Sequence, residues 1–117
     1  MRFFGTLLGL VALVLLTGSL SVAAEVSIPA APAHWATDTA GFLSASTVRE
    51  LDVKLRDYER RTGRQVLVYV ASTTGDTPLE DWTVRAFKQW KLGRKGLADG
   101  LALFVFSRDR AVRIEVG

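Results

Sequence analysis

Asp38, Asp76 and Asp109 are the acids whose positions along the chain suit oxygen-ligand chemistry, with Asp99 as a fourth. A hard divalent cation such as calcium takes roughly six to eight oxygen ligands from carboxylates, carbonyls and water. Aspartates placed at strand ends supply carboxylates of that kind. An ion held by Asp38 or Asp109 would also polarise a phosphate ester, the chemistry of a slow, acid-phosphatase-like, metal-dependent phosphomonoesterase. The same residue type has a plainer use. Asp38 and Asp109 in turns bond their own backbone, and Asp76 precedes a helix start. Both readings stand on the residues alone.

Other chemistries fare worse. His34 is the single histidine and lies in a Pro- and Ala-rich stretch, so it makes neither a metal site nor a triad by itself. No serine has the strand–turn–helix setting of a nucleophile elbow. The chain has no cysteine, which excludes a disulfide framework, cysteine-based zinc sites and a lipid-modified N-terminal cysteine. Gly93-Arg94-Lys95-Gly96 has the glycines and cations of an anion loop, but it follows a helix and precedes a strand, the reverse of a phosphate cradle. It reads as a helix stop and a turn. The formal net charge of +3 comes from cations interleaved with acids, without the basic stripe of a nucleic-acid binder. No nucleic-acid partner is expected.

The elements that must position these acids have clear signals. Ser44 suits an N-cap, with Leu43 and Val48 as a hydrophobic staple. Val48, Leu51, Leu55, Tyr58 and Thr62 then follow helical spacing up to Gly63. Arg49, Glu50, Arg56, Asp57, Arg60 and Arg61 make the opposite face, which reads as solvated. Gln65–Ala71 is an apolar, β-branched run suited to a strand covered on both sides. Thr77-Pro78-Leu79-Glu80 reads as a capping box with proline at the first helical position. Leu79, Trp82, Thr83, Ala86, Phe87 and Trp90 form the buried stripe of that second helix, which Gly93 ends. Leu101–Phe106 and Ala111–Val116 are two further strands, joined by Ser107-Arg108-Asp109-Arg110 in an antiparallel hairpin. The fold class is α/β, a mixed sheet of a parallel strand–helix–strand unit and a hairpin, covered by helices. Such a sheet is thin cover for runs this apolar, so the domain is expected to continue past residue 117. Trp35 lies outside these elements and reads either as a surface contact or as a lid on the core.

That topology sorts the acids. Asp38, Asp76 and Asp109 belong to the carboxyl-end rim of the parallel strands, where open α/β sheets take their ligands. Asp99 opens a strand and belongs to the opposite rim.

The start of the chain is expected to be a targeting segment. Arg2 supplies a positive charge, Phe3 to Leu16 is nearly all apolar, and Val22-Ala23-Ala24 offers small residues for cleavage. Gly18, Ser19 and Ser21 interrupt the run before it reaches the roughly 20 residues of a membrane span. Residues 1–24 are thus read as a signal peptide, 25–35 as a linker and 36–117 as the folded domain. The domain is then exported: periplasmic, secreted, or membrane-attached and facing outside the cytoplasm.

Five pieces in order resemble the TPM domain family. They are Thr37-Asp38-Thr39-Ala40-Gly41-Phe42-Leu43-Ser44, Arg61-Thr62-Gly63-Arg64-Gln65-Val66 and Trp90-Lys91-Leu92-Gly93. After these come Asp99-Gly100-Leu101-Ala102-Leu103 and the run from Asp109 to Gly117. The family's pattern continues past that last glycine, so the resemblance is to the N-terminal part of the domain. Relatives often carry two polar residues before the glycine of the second strand; here Ala98 takes the first place and Asp99 the second. The resemblance implies a helix-covered α/β sandwich, commonly exported and often followed by a membrane segment. It also implies calcium or other divalent-cation binding, weak phosphatase activity, or a role in assembling membrane complexes. The expected function is a non-catalytic envelope module that binds a divalent cation and a protein partner, such as an envelope protein or membrane complex. A weak phosphatase and a purely structural domain are the alternatives.

Overall fold

The computed structural model describes residues 27–93, 97 and 99–117. Residues 1–26, which include the stretch read as a signal peptide, together with Arg94, Lys95, Gly96 and Ala98, lie outside the described residues. The elements follow in the order β1 (Ala36–Asp38), α1 (Ala45–Thr62), β2 (Gln65–Ala71), α2 (Leu79–Trp90), β3 (Gly100–Phe106) and β4 (Ala111–Val116). They build one four-stranded sheet in the order β1-β2-β3-β4. β1 and β3 run parallel to β2, and β4 runs antiparallel to β3. The mixed sheet and the hairpin match the sequence reading. β1 is an addition: three residues, Ala-Thr-Asp, are too short to show any alternation.

Helix α1 begins and ends as its residues dictate. The Ser44 hydroxyl accepts from the Thr47 amide, and Gly63 stands in the left-handed region at φ 75°, donating its N–H to the Glu59 carbonyl. Helix α2 departs from expectation at both ends. Its N-cap is Pro78, with no side-chain cap; Glu80 is drawn away to Arg113, 3.1 Å distant. An ion pair across to β4 replaces the capping box. At the other end Lys91, at φ 53°, takes the left-handed cap position, ahead of Gly93.

Strand alternation distributes side chains between the two faces. Leu67 and Tyr69 of β2, with Ala102, Phe104 and Phe106 of β3, pack against Trp82, Ala86 and Trp90 of α2. The rings meet mostly edge-to-face, Trp82 on Phe106 at 5.1 Å between centroids and Tyr69 on Trp90 at 5.1 Å. This aromatic cluster is the core. Thr83 is fully buried beside it, and its hydroxyl donates to Glu115 Oε1 at 2.8 Å. A buried hydroxyl needs such an acceptor.

Among the described residues the opposite face is closed over only half its width. Helix α1 lies against β1 and β2 and buries none of its residues completely. Beyond it, Leu101, Leu103 and Val105 of β3 are half-buried. On β4, in register with them, Val112, Ile114 and Val116 are exposed by 62, 56 and 68%.

The stretch read as a linker is laid onto the domain. Ile28 packs against the aromatic cluster, and the Pro29 carbonyl accepts from Trp90 Nε1 at 2.8 Å and Gln89 Nε2 at 3.2 Å. Trp35 settles the choice left open above by turning onto α1. Its indole N–H donates to Glu59, its ring lies 6.0 Å from the Arg56 guanidinium carbon, and its backbone N–H donates to Asp52 Oδ1 at 2.7 Å. Of the face of α1 that reads as solvated, Arg56 is covered by this contact, while Arg49, Glu50, Asp57, Arg60 and Arg61 are exposed. Among the described residues no helix is long and apolar enough to cross a membrane.

Candidate functional site

Parallel strands end at the same side of a sheet, so β1, β2 and β3 deliver their following loops to one rim. Backbone bonds lace those loops together. The Thr39 amide donates to the Val70 carbonyl at 2.8 Å, Ser107 to Ala71 at 3.0 Å and Arg108 to Ser72 at 2.8 Å. Asp38 closes β1, Asp76 lies in the loop after β2, and Asp109 lies in the turn after β3.

Each of the first and last has its carboxylate occupied. Asp38 Oδ1 accepts from the Ala40 amide at 2.9 Å, and its Oδ2 from the Leu43 amide at 2.7 Å. It thereby organises the approach to α1. Burial raises the Asp38 pKa, but donation from the amides of Leu43, Ala40, Phe42 and Gly41 outweighs it, and the net direction is down. Asp109 Oδ2 accepts from the Thr74 amide at 2.9 Å, and the Thr73 hydroxyl lies 2.8 Å and 2.9 Å from its two oxygens. The Thr74 amide and the Thr73 hydroxyl hold the Asp109 carboxyl below its ordinary range. Asp109 thus ties the β3–β4 turn to the β2–α2 loop. Asp76 is exposed on that loop. Two ionised carboxylates on one rim are what a cation site starts from. Among the described residues, however, no three or more His, Cys, Asp or Glu side chains come together closely enough to hold a metal ion. Any ion here would draw most of its ligands from carbonyls and water.

Asp99 stands at the other rim, where its carbonyl accepts from the Gln65 amide at 3.0 Å. Gln65 Oε1 in turn accepts from the Gly93 amide at 2.8 Å. The chain is tight there: a Cβ on Gly100 would lie 2.6 Å from the Gly93 nitrogen. A shallow cleft of about 200 Å³ opens nearby between His34, Trp35, Gln65, Leu67, Trp90 and Leu92. His34 Nδ1 is 3.8 Å from Asp52 Oδ2, with the imidazole largely in solvent.

The sequence reading passed over a second polar cluster, on the α2 side of β4. Arg113 Nε donates to Glu115 Oε1 at 2.9 Å and its Nη1 to Glu80 Oε1 at 3.1 Å, with Thr83 completing the group. Arg113 and Glu115 alternate with valine and isoleucine, which marks them for one face of a strand; their partners on α2 had no local signal.

The family model for the TPM domain matches residues 36–117. Among curated proteins nothing matches the chain. Of the solved structures it resembles, the N-terminal domain of a protein from P. gingivalis is 32% identical, with a TM-score of 0.65; the match covers 72% of this chain and 54% of that one. The N-terminal domain of a protein from Corynebacterium glutamicum is 20% identical with a TM-score of 0.61, over 78% of this chain and 61% of that one, a likeness of fold. The chain therefore spans less than two thirds of either solved chain.

A carboxylate whose folded pKa is depressed stabilises the fold above its unfolded value, and that contribution is lost as pH falls through the folded value. Asp38 and Asp109 both have this sign. Stability in denaturant titrations is expected to decline as pH drops below about 5, and less steeply in the Asp38→Asn/Asp109→Asn double variant. At neutral pH, Asp38→Ala is expected to cost about 1–2 kcal/mol through its lost amide bonds.

Proposed function

Because the chain belongs to the TPM domain family over residues 36–117, we propose that it is an exported accessory module of the cell envelope that binds a partner protein. One observation carries this reading: half of one sheet face is apolar and bare. Val112, Ile114 and Val116 are exposed beside half-buried Leu101, Leu103 and Val105. Contiguous apolar surface is costly to keep in water, and this one is bare among the described residues, which supports a docking role. Export is supported by Arg2, the apolar run from Phe3 to Leu16 and the small residues at Val22-Ala23-Ala24. The partner is then an envelope protein or a membrane complex.

A divalent cation such as calcium at the strand-end rim is the second part of the reading. It is supported by the ionised carboxylates of Asp38 and Asp109 and by the position of Asp76 between them in chain order. In the phosphatase alternative an ion held by Asp38 or Asp109 would polarise a phosphate ester; in the structural alternative the domain binds neither ion nor substrate.

A photo-crosslinking residue at Leu101 or Leu103, on the bare face and away from the β4 edge, in chain expressed in its native envelope, is expected to give one discrete adduct. Its mass should differ from that of two copies of the chain, and a crosslinker at Arg49 should not give it. Equal labelling from all three sites, or none, removes the partner-binding reading. Calorimetric titration with calcium is expected to release or absorb heat that is lost in Asp38→Asn/Asp109→Asn. A flat titration with no shift in melting temperature removes the cation.

A further inference from the structure

β4 is the last strand in the sheet, and its outer edge faces no other strand among the described residues. Its free groups can be assigned. Gly100 and Gly117 exchange both backbone bonds, at 2.9 and 3.0 Å. Antiparallel pairs alternate between such bonded pairs and unbonded ones. Along the register, Glu115, Arg113 and Ala111 therefore direct their N–H and C=O toward β3. Those of Val112, Ile114 and Val116 point out from the sheet.

Natural sheets protect an edge of this kind with proline, charged side chains, a bulge or a very short strand. β4 has no proline or bulge and keeps an unbroken register with β3 over all six residues, Ala-Val-Arg-Ile-Glu-Val; its two charges, Arg113 and Glu115, are paired with each other. Its pattern is also self-complementary. Two copies laid antiparallel about a two-fold axis at Ile114 set Val112 against Val116 of the second copy. They set Arg113 against Glu115 of the second copy, on the same face, and repeat both pairs by symmetry. The outward-pointing residues become the bonded pairs of the new ladder, and the charged residues become the closer, unbonded pairs where side chains interact most. Moving the axis by two residues, to Val112, sets Arg113 against Ala111 and Glu115 against Asp109, and both charge matches are lost.

We propose that two copies of this chain associate through the β4 edges in this register, forming a continuous eight-stranded sheet with both α2 helices on one side. Within each copy Arg113 already lies against Glu115. The symmetry surrounds each guanidinium with a carboxylate from its own chain and one from the other. This pairing uses the edge of β4 and does not depend on what occupies the apolar face.

The test is sedimentation of the purified chain over a range of concentrations, with charge variants alone and mixed. The parent chain is expected to pass from monomer to dimer. Arg113→Glu carries two acids at these positions and Glu115→Arg two bases. Each alone is expected to dimerise about tenfold more weakly or worse, since like charges meet across the axis. Mixed, they are expected to recover a heterodimer, which no contact within one chain can produce. Circular dichroism on each variant separates loss of pairing from loss of fold. Since the chain has no cysteine, Ile114→Cys provides a second reading and should form an intermolecular disulfide at the axis. A parent that stays monomeric, or folded charge variants that fail to recover on mixing, overturns the proposal. So does a dimer indifferent to both charges, which would place the contact elsewhere.

Discussion

Everything in this domain is organised by the seal between α2 and the central strands. Leu67, Tyr69, Ala102, Phe104 and Phe106 meet Trp82, Ala86 and Trp90 in one aromatic cluster, and Ala86, Ala102, Phe104 and Phe106 have no exposed surface at all. Fully burying side chains of this kind stabilises by about 1.5–3 kcal/mol each before entropy is counted. The period of a strand leaves no freedom after that. Once Phe104 and Phe106 face α2, Leu103, Val105, Val112, Ile114 and Val116 must face the other way.

The second face is where the structure becomes informative about function. Helix α1 covers β1 and β2 with half-buried contacts and stops short of the hairpin. Among the described residues the sheet therefore has one closed side and one side closed over half its width. The rim above both is set by parallel pairing and not by packing. Asp38 and Asp109 are fixed there because strands β1 and β3 end there, and each carboxylate then orders the loop that follows or adjoins it. The same geometry makes them good structural residues and separates them from a ready-made metal cage.

Much of the fold was legible in the residues. Ser44 and Gly63 bound α1 through local hydrogen bonds, and local rules read them correctly. The apolar runs at β2, β3 and β4 were equally plain. What escaped was non-local. β1 is three residues long and exists because it pairs with Val68, Tyr69 and Val70. Glu80 suited a capping box, but Arg113, far along the chain, holds it instead. Pro29 and Trp35 looked like linker because nothing in their neighbourhood foretells Trp90 or Glu59 as partners. For the site, chain order was sufficient to place Asp38, Asp76 and Asp109 on one rim and Asp99 on the other. It was not sufficient to say which lone pairs the backbone would claim.

The central claim is the asymmetry of the sheet, and a soluble paramagnetic probe measures it directly. In nuclear magnetic resonance of the dilute chain, the methyl groups of Val112, Ile114 and Val116 should relax strongly in proportion to added probe. The ring protons of Trp82, Phe104 and Phe106 should be nearly unaffected. Equal protection of the two sets would mean that the second face is closed, and would contradict the account.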